Sequence, residues 1–152
     1  MSNIFNIHGF VAMAFHEKSA WLMAVSLLLA GGLYYWVVVT LSIEVNRPVP
    51  PLVPLVVAYT VLITVLAVVG HIAIAVLAPR NSSSVLDERE RLIARRASHA
   101  ASYVMGVGTL VSLGIYLFYQ SGDLLFHTVF ASLMLSQISE YLVQIVYFRT
   151  SV

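Results

Sequence analysis

The chain has 152 residues, 60% of them hydrophobic and 10% charged, with 8 Lys and Arg against 7 Asp and Glu and no Cys. Soluble domains carry about 25% charged residues, and a chain of this length builds too small a core to hide so large an apolar share, so a water-soluble globular fold is excluded and the surface is expected to face lipid. A formal charge of +1 gives no electrostatic ground for nucleic-acid binding, and the lack of Cys removes disulfides, thiolate metal sites and thiol nucleophiles.

Taken in chain order, Ile4, Ile7, Val11 and Phe15 share one side at helical spacing, which fits either an interfacial helix or an extension of the first span. No Lys or Arg occurs between Met1 and His16, so a signal-peptide n-region is not expected and the first span is expected to stay in the mature protein. That span is the uncharged run 19–43, which at about 1.5 Å per residue exceeds the roughly 30 Å of a hydrocarbon layer. The Pro-rich stretch Pro48 to Pro54 delays the second helix to about 52–78. The third span is 97–119 and the fourth 124–148, joined by the short connection Gln120 to Asp123. Barrel strands alternate in polarity over about ten residues, whereas these runs are continuously apolar, so helices are predicted. Lys18, Arg80, Arg89, Arg91, Arg95, Arg96 and Arg149 fall on one side of four alternating spans and only Arg47 on the other. The positive-inside rule then places both termini and the 80–96 segment in the cytoplasm. The predicted fold is all-α: a single membrane domain, 1–152, forming an N-in/C-in bundle of four transmembrane helices with a juxtamembrane amphipathic helix before the third.

That amphipathic segment carries Asp87, Glu88, Arg89, Glu90, Arg91, Arg95 and Arg96. Ser84 to Asp87 fits a capping box, acidic residues occupy the positive end of the helix dipole, and arginines follow. Such a helix either anchors to anionic headgroups or offers a docking surface for a partner protein. The run Asp87-Glu88-Arg89-Glu90-Arg91-Leu92-Ile93, followed by Arg96-Ala97 and Tyr103, resembles an uncharacterised family of small bacterial four-span membrane proteins with a DERE-type segment before the third span. Glu17 to Trp21 and the pair Glu140-Tyr141 are similar to such proteins as well. The resemblance implies the same topology and a bacterial inner (cytoplasmic) membrane location, and it brings no activity with it.

Glu140 is the one formal charge inside a span, and a charged residue near a helix centre costs about 2.5–3.5 kcal/mol on insertion scales. Ser132, Ser136, Gln137, Glu140 and Gln144 form a polar stripe on the fourth helix. Counted from the inner boundary, Glu140 lies about 12 Å deep, His71 about 10 Å, Tyr103 about 9 Å and His99 about 3 Å. Glu140, His71 and Tyr103 are therefore expected in one layer, with His99 nearer the surface, either as a hydrogen-bonded clamp or as an acid–base pair in a proton or cation pathway. His71 and His99 are the nearest approach to a bis-His haem pair, but their depths differ by about 7 Å. His127 lies near the outer end of the fourth helix. Ser98, Ser102 and Gly106 form a ridge of small residues on the third helix, as do Ser26 with Ala30 on the first and Gly108 with Ser112 on a second face of the third. Such faces serve packing within one chain or between copies.

No GxGxxG, P-loop, Gly-x-Ser-x-Gly or HExxH motif occurs. The expectation is a non-enzymatic membrane accessory, scaffold or signal-relay protein with no cofactor and no metal. Its partners would be the bilayer and a second copy or another membrane protein. The alternative is a small proton or cation channel or transporter subunit using Glu140 and His71.

Overall fold

The structure is a computed structural model that describes residues 15–77 and 88–150. The 1–14 segment, including most of the stretch from Ile4 to Phe15, lies outside the described residues, as do Arg80 and the capping box ending at Asp87. Four helices account for nearly all the rest: α1 (Phe15–Val45), α2 (Val53–Leu77), α3 (Glu88–Tyr119) and α4 (Gly122–Thr150). Each is long and apolar enough to cross a membrane, and together they fit a multi-pass membrane protein. The charged residues Glu88 to Arg96 form the opening turns of α3 itself, continuous with the third apolar span.

The turns have local causes. Asn46 adopts a left-handed φ of 54°, and the amides of Asn46 and Arg47 return to the carbonyls of Ile43 and Ser42, both at 3.2 Å. This is a Schellman cap that ends α1 one residue past Val45, with Pro48 following to prevent continuation. Gln120, at φ 49°, closes α3 by a 2.8 Å bond from its amide to the Tyr116 carbonyl. Ser121 then caps α4, its hydroxyl accepting from the Leu124 amide at 3.3 Å.

The helices form a row rather than a ring of equal neighbours. α1 packs against both α2 and α4, and α3 packs only on α4, giving the order α2–α1–α4–α3. Burial follows that order: 39% of the apolar stretch of α1 is buried, against 6% of α2 and 11% of α3. The buried face of α1, Ala20, Ala24, Leu27, Tyr34 and Val38, repeats at the three- and four-residue spacing of one helix side. α3 presents Ile93, Ala97, Ala101 and Ser112 to α4. Large apolar side chains such as Val61, Val76, Leu110 and Phe118 stay exposed, an arrangement suited to contact with lipid and not with water.

Two glycines set the helix spacing. A Cβ on Gly108 would stand 2.6 Å from the Cβ of Ser132, so α3 and α4 approach closely only because none is present. At Gly70 a Cβ would collide with the Leu22 side chain, which brings α2 onto α1.

Candidate functional site

Polar contacts concentrate at two ends of the bundle, with a further set along the α3–α4 seam. One, the loop end, contains the C-terminus of α1, the connection 46–52 and the start of α4. At the other, the charged end, the first turns of α1 and α3 meet the last turns of α4.

The loop end is organised by His127. Its side chain is buried at 7% exposure and bonded on both ring nitrogens. Nε2 lies 2.9 Å from the Val49 carbonyl, and a carbonyl only accepts, so Nε2 carries a proton. In the neutral ring Nδ1 then accepts, and the Tyr34 hydroxyl lies 3.3 Å away to donate. The Tyr35 hydroxyl donates to the His127 carbonyl at 2.6 Å. Val49 is tied in turn to α1, its amide donating to the Ser42 hydroxyl at 3.3 Å. One imidazole thus joins α1, the Pro-rich connection and α4. Around it the rings of Tyr34 and Phe130 meet edge to face at 4.9 Å between centroids, and Tyr59 of α2 meets Phe130 in the same manner at 5.4 Å. Such pairs contribute about 0.5–1.5 kcal/mol beyond area burial. α2 is therefore attached here through aromatic side chains.

The α3–α4 seam carries a second set of hydroxyls. Ser112, 1% exposed, donates to the Gly108 carbonyl at 2.8 Å and lies 3.4 Å from the Ser132 hydroxyl. Ser136 donates across the seam to the Ala101 carbonyl at 2.9 Å. Every buried side-chain polar atom among the described residues has a partner.

At the charged end the contacts are spread over separate groups. Glu17 and Arg149 meet at 3.5 Å, and the Arg149 guanidinium also sits 5.3 Å from the centre of the Trp21 ring. Arg96 lies 5.8 Å from the centre of the Tyr147 ring, which links α3 to α4. His71 donates from Nδ1 to the Ala67 carbonyl at 2.7 Å, leaving Nε2 to accept from the Ser19 hydroxyl at 2.8 Å.

The expected single layer of Glu140, His71 and Tyr103 does not form. His71 and Tyr103 belong to α2 and α3, which stand on opposite flanks of the α1–α4 pair. Tyr103 is 75% exposed, His99 and Gln137 are exposed, and Glu140 and Gln144 are half-buried on α4. Of the polar stripe only Ser132 and Ser136 are buried. His71 and His99 are likewise on non-neighbouring helices, and no group of three His, Asp or Glu side chains converges among the described residues. Arg91, Arg95 and Arg96 stand exposed on α3, as do Glu88 and Arg89, with Glu90 half-buried. The ridge of Ser98, Ser102 and Gly106 also faces outward. Within the chain, close packing is made instead by the neighbouring face of Ala97, Ala101, Gly108 and Ser112, because one residue along a helix turns the side by about 100°. His127 is the residue that spacing alone did not single out. A donor was nonetheless called for there, since Pro48, Pro50 and Pro51 keep carbonyls while removing amides.

No protein-family model matches this chain, and neither the curated proteins nor the solved structures contain a detectable match to it.

Proposed function

We propose that the protein is a non-enzymatic, multi-pass membrane protein with both termini cytoplasmic, an accessory or scaffold component that works through helix packing and the charged start of α3. A bacterial inner membrane is the setting that the DERE-type segment suggests. The observation that carries this reading is Glu140. The imidazoles of His71 and His127 and the hydroxyls of Ser112 and Ser136 are all engaged within the chain, where they hold helices or connections in place. Glu140 is different: half-buried on α4, it has no hydrogen-bond or ion-pair partner among the described residues. A charged carboxylate there is costly in hydrocarbon unless it is protonated or paired, and in this reading a basic or hydroxyl group of a partner chain pairs with it. The arginines at the start of α3 then lie on the cytoplasmic side, where seven of the 8 Lys and Arg gather.

The alternative, a proton or cation path through Glu140 and His71, needs these two side chains within reach of each other, and His71 is engaged with Ser19 on α1 instead. Affinity purification in mild detergent tests the proposal. A membrane partner retained by the wild type should be lost with Glu140→Gln and with a charge swap at Glu88 and Arg91, and recovered when the partner carries the complementary charge. Retention indifferent to both changes, together with proton flux in liposomes that Glu140→Gln abolishes, would replace it with the transport reading.

A further inference from the structure

The loop end also holds a cavity of about 580 Å³ that the His127 clamp does not fill. Its walls are mostly apolar, with Val38, Val39 and Ile43 from α1 and Leu124 and Ala131 from α4 beside the polar Tyr35, Ser42, His127 and Thr128, and Asn46 and Arg47 lie at its exposed edge. The Schellman cap at Asn46 is what turns Arg47 to that position. From Asn46 back to Val38 the cleft runs about 12 Å along α1, the depth of the headgroup boundary and the first part of the acyl layer. No residue of α2 or α3 lines it, so it is a cleft between the two central helices.

Arg47 is the unusual feature of this cleft. Every other described Lys or Arg belongs to the charged end, so a lone cation at the loop end runs against the charge bias of the whole chain. It is exposed and forms no ion pair among the described residues. The acidic groups at this end, Glu44 and Asp123, do not line the cavity. A mostly apolar cleft about as large as common small-ligand pockets, with an unpaired guanidinium at the level of the headgroups, is complementary to an anionic amphiphile. Arg suits a phosphate because its fork donates two parallel bonds.

We propose that this cleft binds one phospholipid of the loop-end leaflet, its acyl chain between α1 and α4 and its phosphate on Arg47. The inference rests on the membrane reading given above. The bilayer supplies the ligand at high local concentration, and the lipid fills a cleft that would otherwise leave both central helices poorly packed.

The test uses the full chain. Alkaline washing of membranes comes first, and a chain that washes off overturns the membrane reading and the lipid site together. For a chain that stays, native mass spectrometry in mild detergent follows binding of added dimyristoyl phosphatidylglycerol, with glycerol 3-phosphate as the headgroup alone. The expected result is one lipid per chain, bound about tenfold more weakly by Arg47→Ala, the low end of what a charged hydrogen bond is worth. Ala131→Phe, which fills the cleft, weakens lipid binding as well; should that variant fail to fold, Arg47→Ala carries the test because its side chain is exposed. No stoichiometric lipid, equal binding by wild type and Arg47→Ala, or equal binding of glycerol 3-phosphate and the lipid would each overturn the proposal while leaving the membrane reading intact.

Discussion

The two ends of the bundle use the same kinds of residue to opposite effect. At the loop end a single buried imidazole is bonded on both nitrogens, and its carbonyl receives the Tyr35 hydroxyl, so the helices it joins are fixed through one shared group. At the charged end the contacts described above are spread over separate groups: Ser19 with His71, Arg149 with Glu17 and the Trp21 ring, Arg96 with the Tyr147 ring. The Arg149 side chain is 60% exposed, and exposed pairs are screened by water and salt. Shared, buried partners are cooperative, and deleting one strands the others. Separate, wetter contacts fail one at a time. The loop end is thus the rigid end of the molecule, and the charged end is the one that tolerates change.

The largest effect expected of this difference is at His127. His127→Ala strands the Val49 carbonyl and the Tyr34 hydroxyl and leaves a void among Tyr34, Phe126 and Phe130, for a cost of about 3–4 kcal/mol. A fall in the melting temperature in detergent, with faster hydrogen exchange at Val49, would show it. His127→Gln, which keeps a donor for Val49, recovers part of the loss. Equal melting of wild type and His127→Ala would remove the distinction between the ends. Next in size is the α3–α4 seam, where Gly108→Val forces a side chain against Ser132 and costs about 2–3 kcal/mol through overpacking. Disulfide formation between Ala101→Cys and Ser136→Cys, placed across the seam, should drop sharply in that background. Undiminished cross-linking would mean that the helices are not held at the spacing Gly108 permits.

Those expectations depend on neighbours that the sequence reveals unequally. The four spans were legible because apolar runs bounded by charges and prolines admit few alternatives, and within the described residues α2 differs from its expected 52–78 only at Leu52. α1 runs past Glu44 to Val45 because its end is set by the Asn46 cap and not by the first charge. Position along each helix axis follows from the rise per residue alone. Which helices are neighbours was not legible. Glu140 and His71 were expected at similar depths, yet the row α2–α1–α4–α3 keeps α2 away from the Glu140 part of α4, and no depth count contains that order. Rotation about the axis was partly readable. Gly108 and Ser112 were recognisable as a narrow face, whereas Ser98, Ser102 and Gly106 had the same small-residue spacing and point outward. His127 was hidden because its partners, Val49 and Tyr34, are 78 and 93 residues away in sequence.

The smaller predictions compare single hydrogen bonds from the two ends directly. Tyr35→Phe removes the 2.6 Å bond to the His127 carbonyl and is expected to cost about 1 kcal/mol. Ser19→Ala removes the 2.8 Å bond to His71, and because neither residue is buried the cost is near the ~0.6 kcal/mol average for interhelical polar contacts. Arg149→Ala is expected to cost less again, within about 0.5 kcal/mol, with an effect that shrinks further as salt is raised. The decisive comparison is coupling rather than size. A double mutant of Tyr34→Phe with Tyr35→Phe acts on one residue, His127, through its ring and its carbonyl and should depart from additivity by more than about 0.5 kcal/mol, whereas Ser19→Ala with Arg149→Ala touches separate contacts and should be additive within that margin. Melting curves of the four single and two double variants measure both quantities. If the charged-end pair proved the more strongly coupled, the rigid and tolerant ends would have to be exchanged.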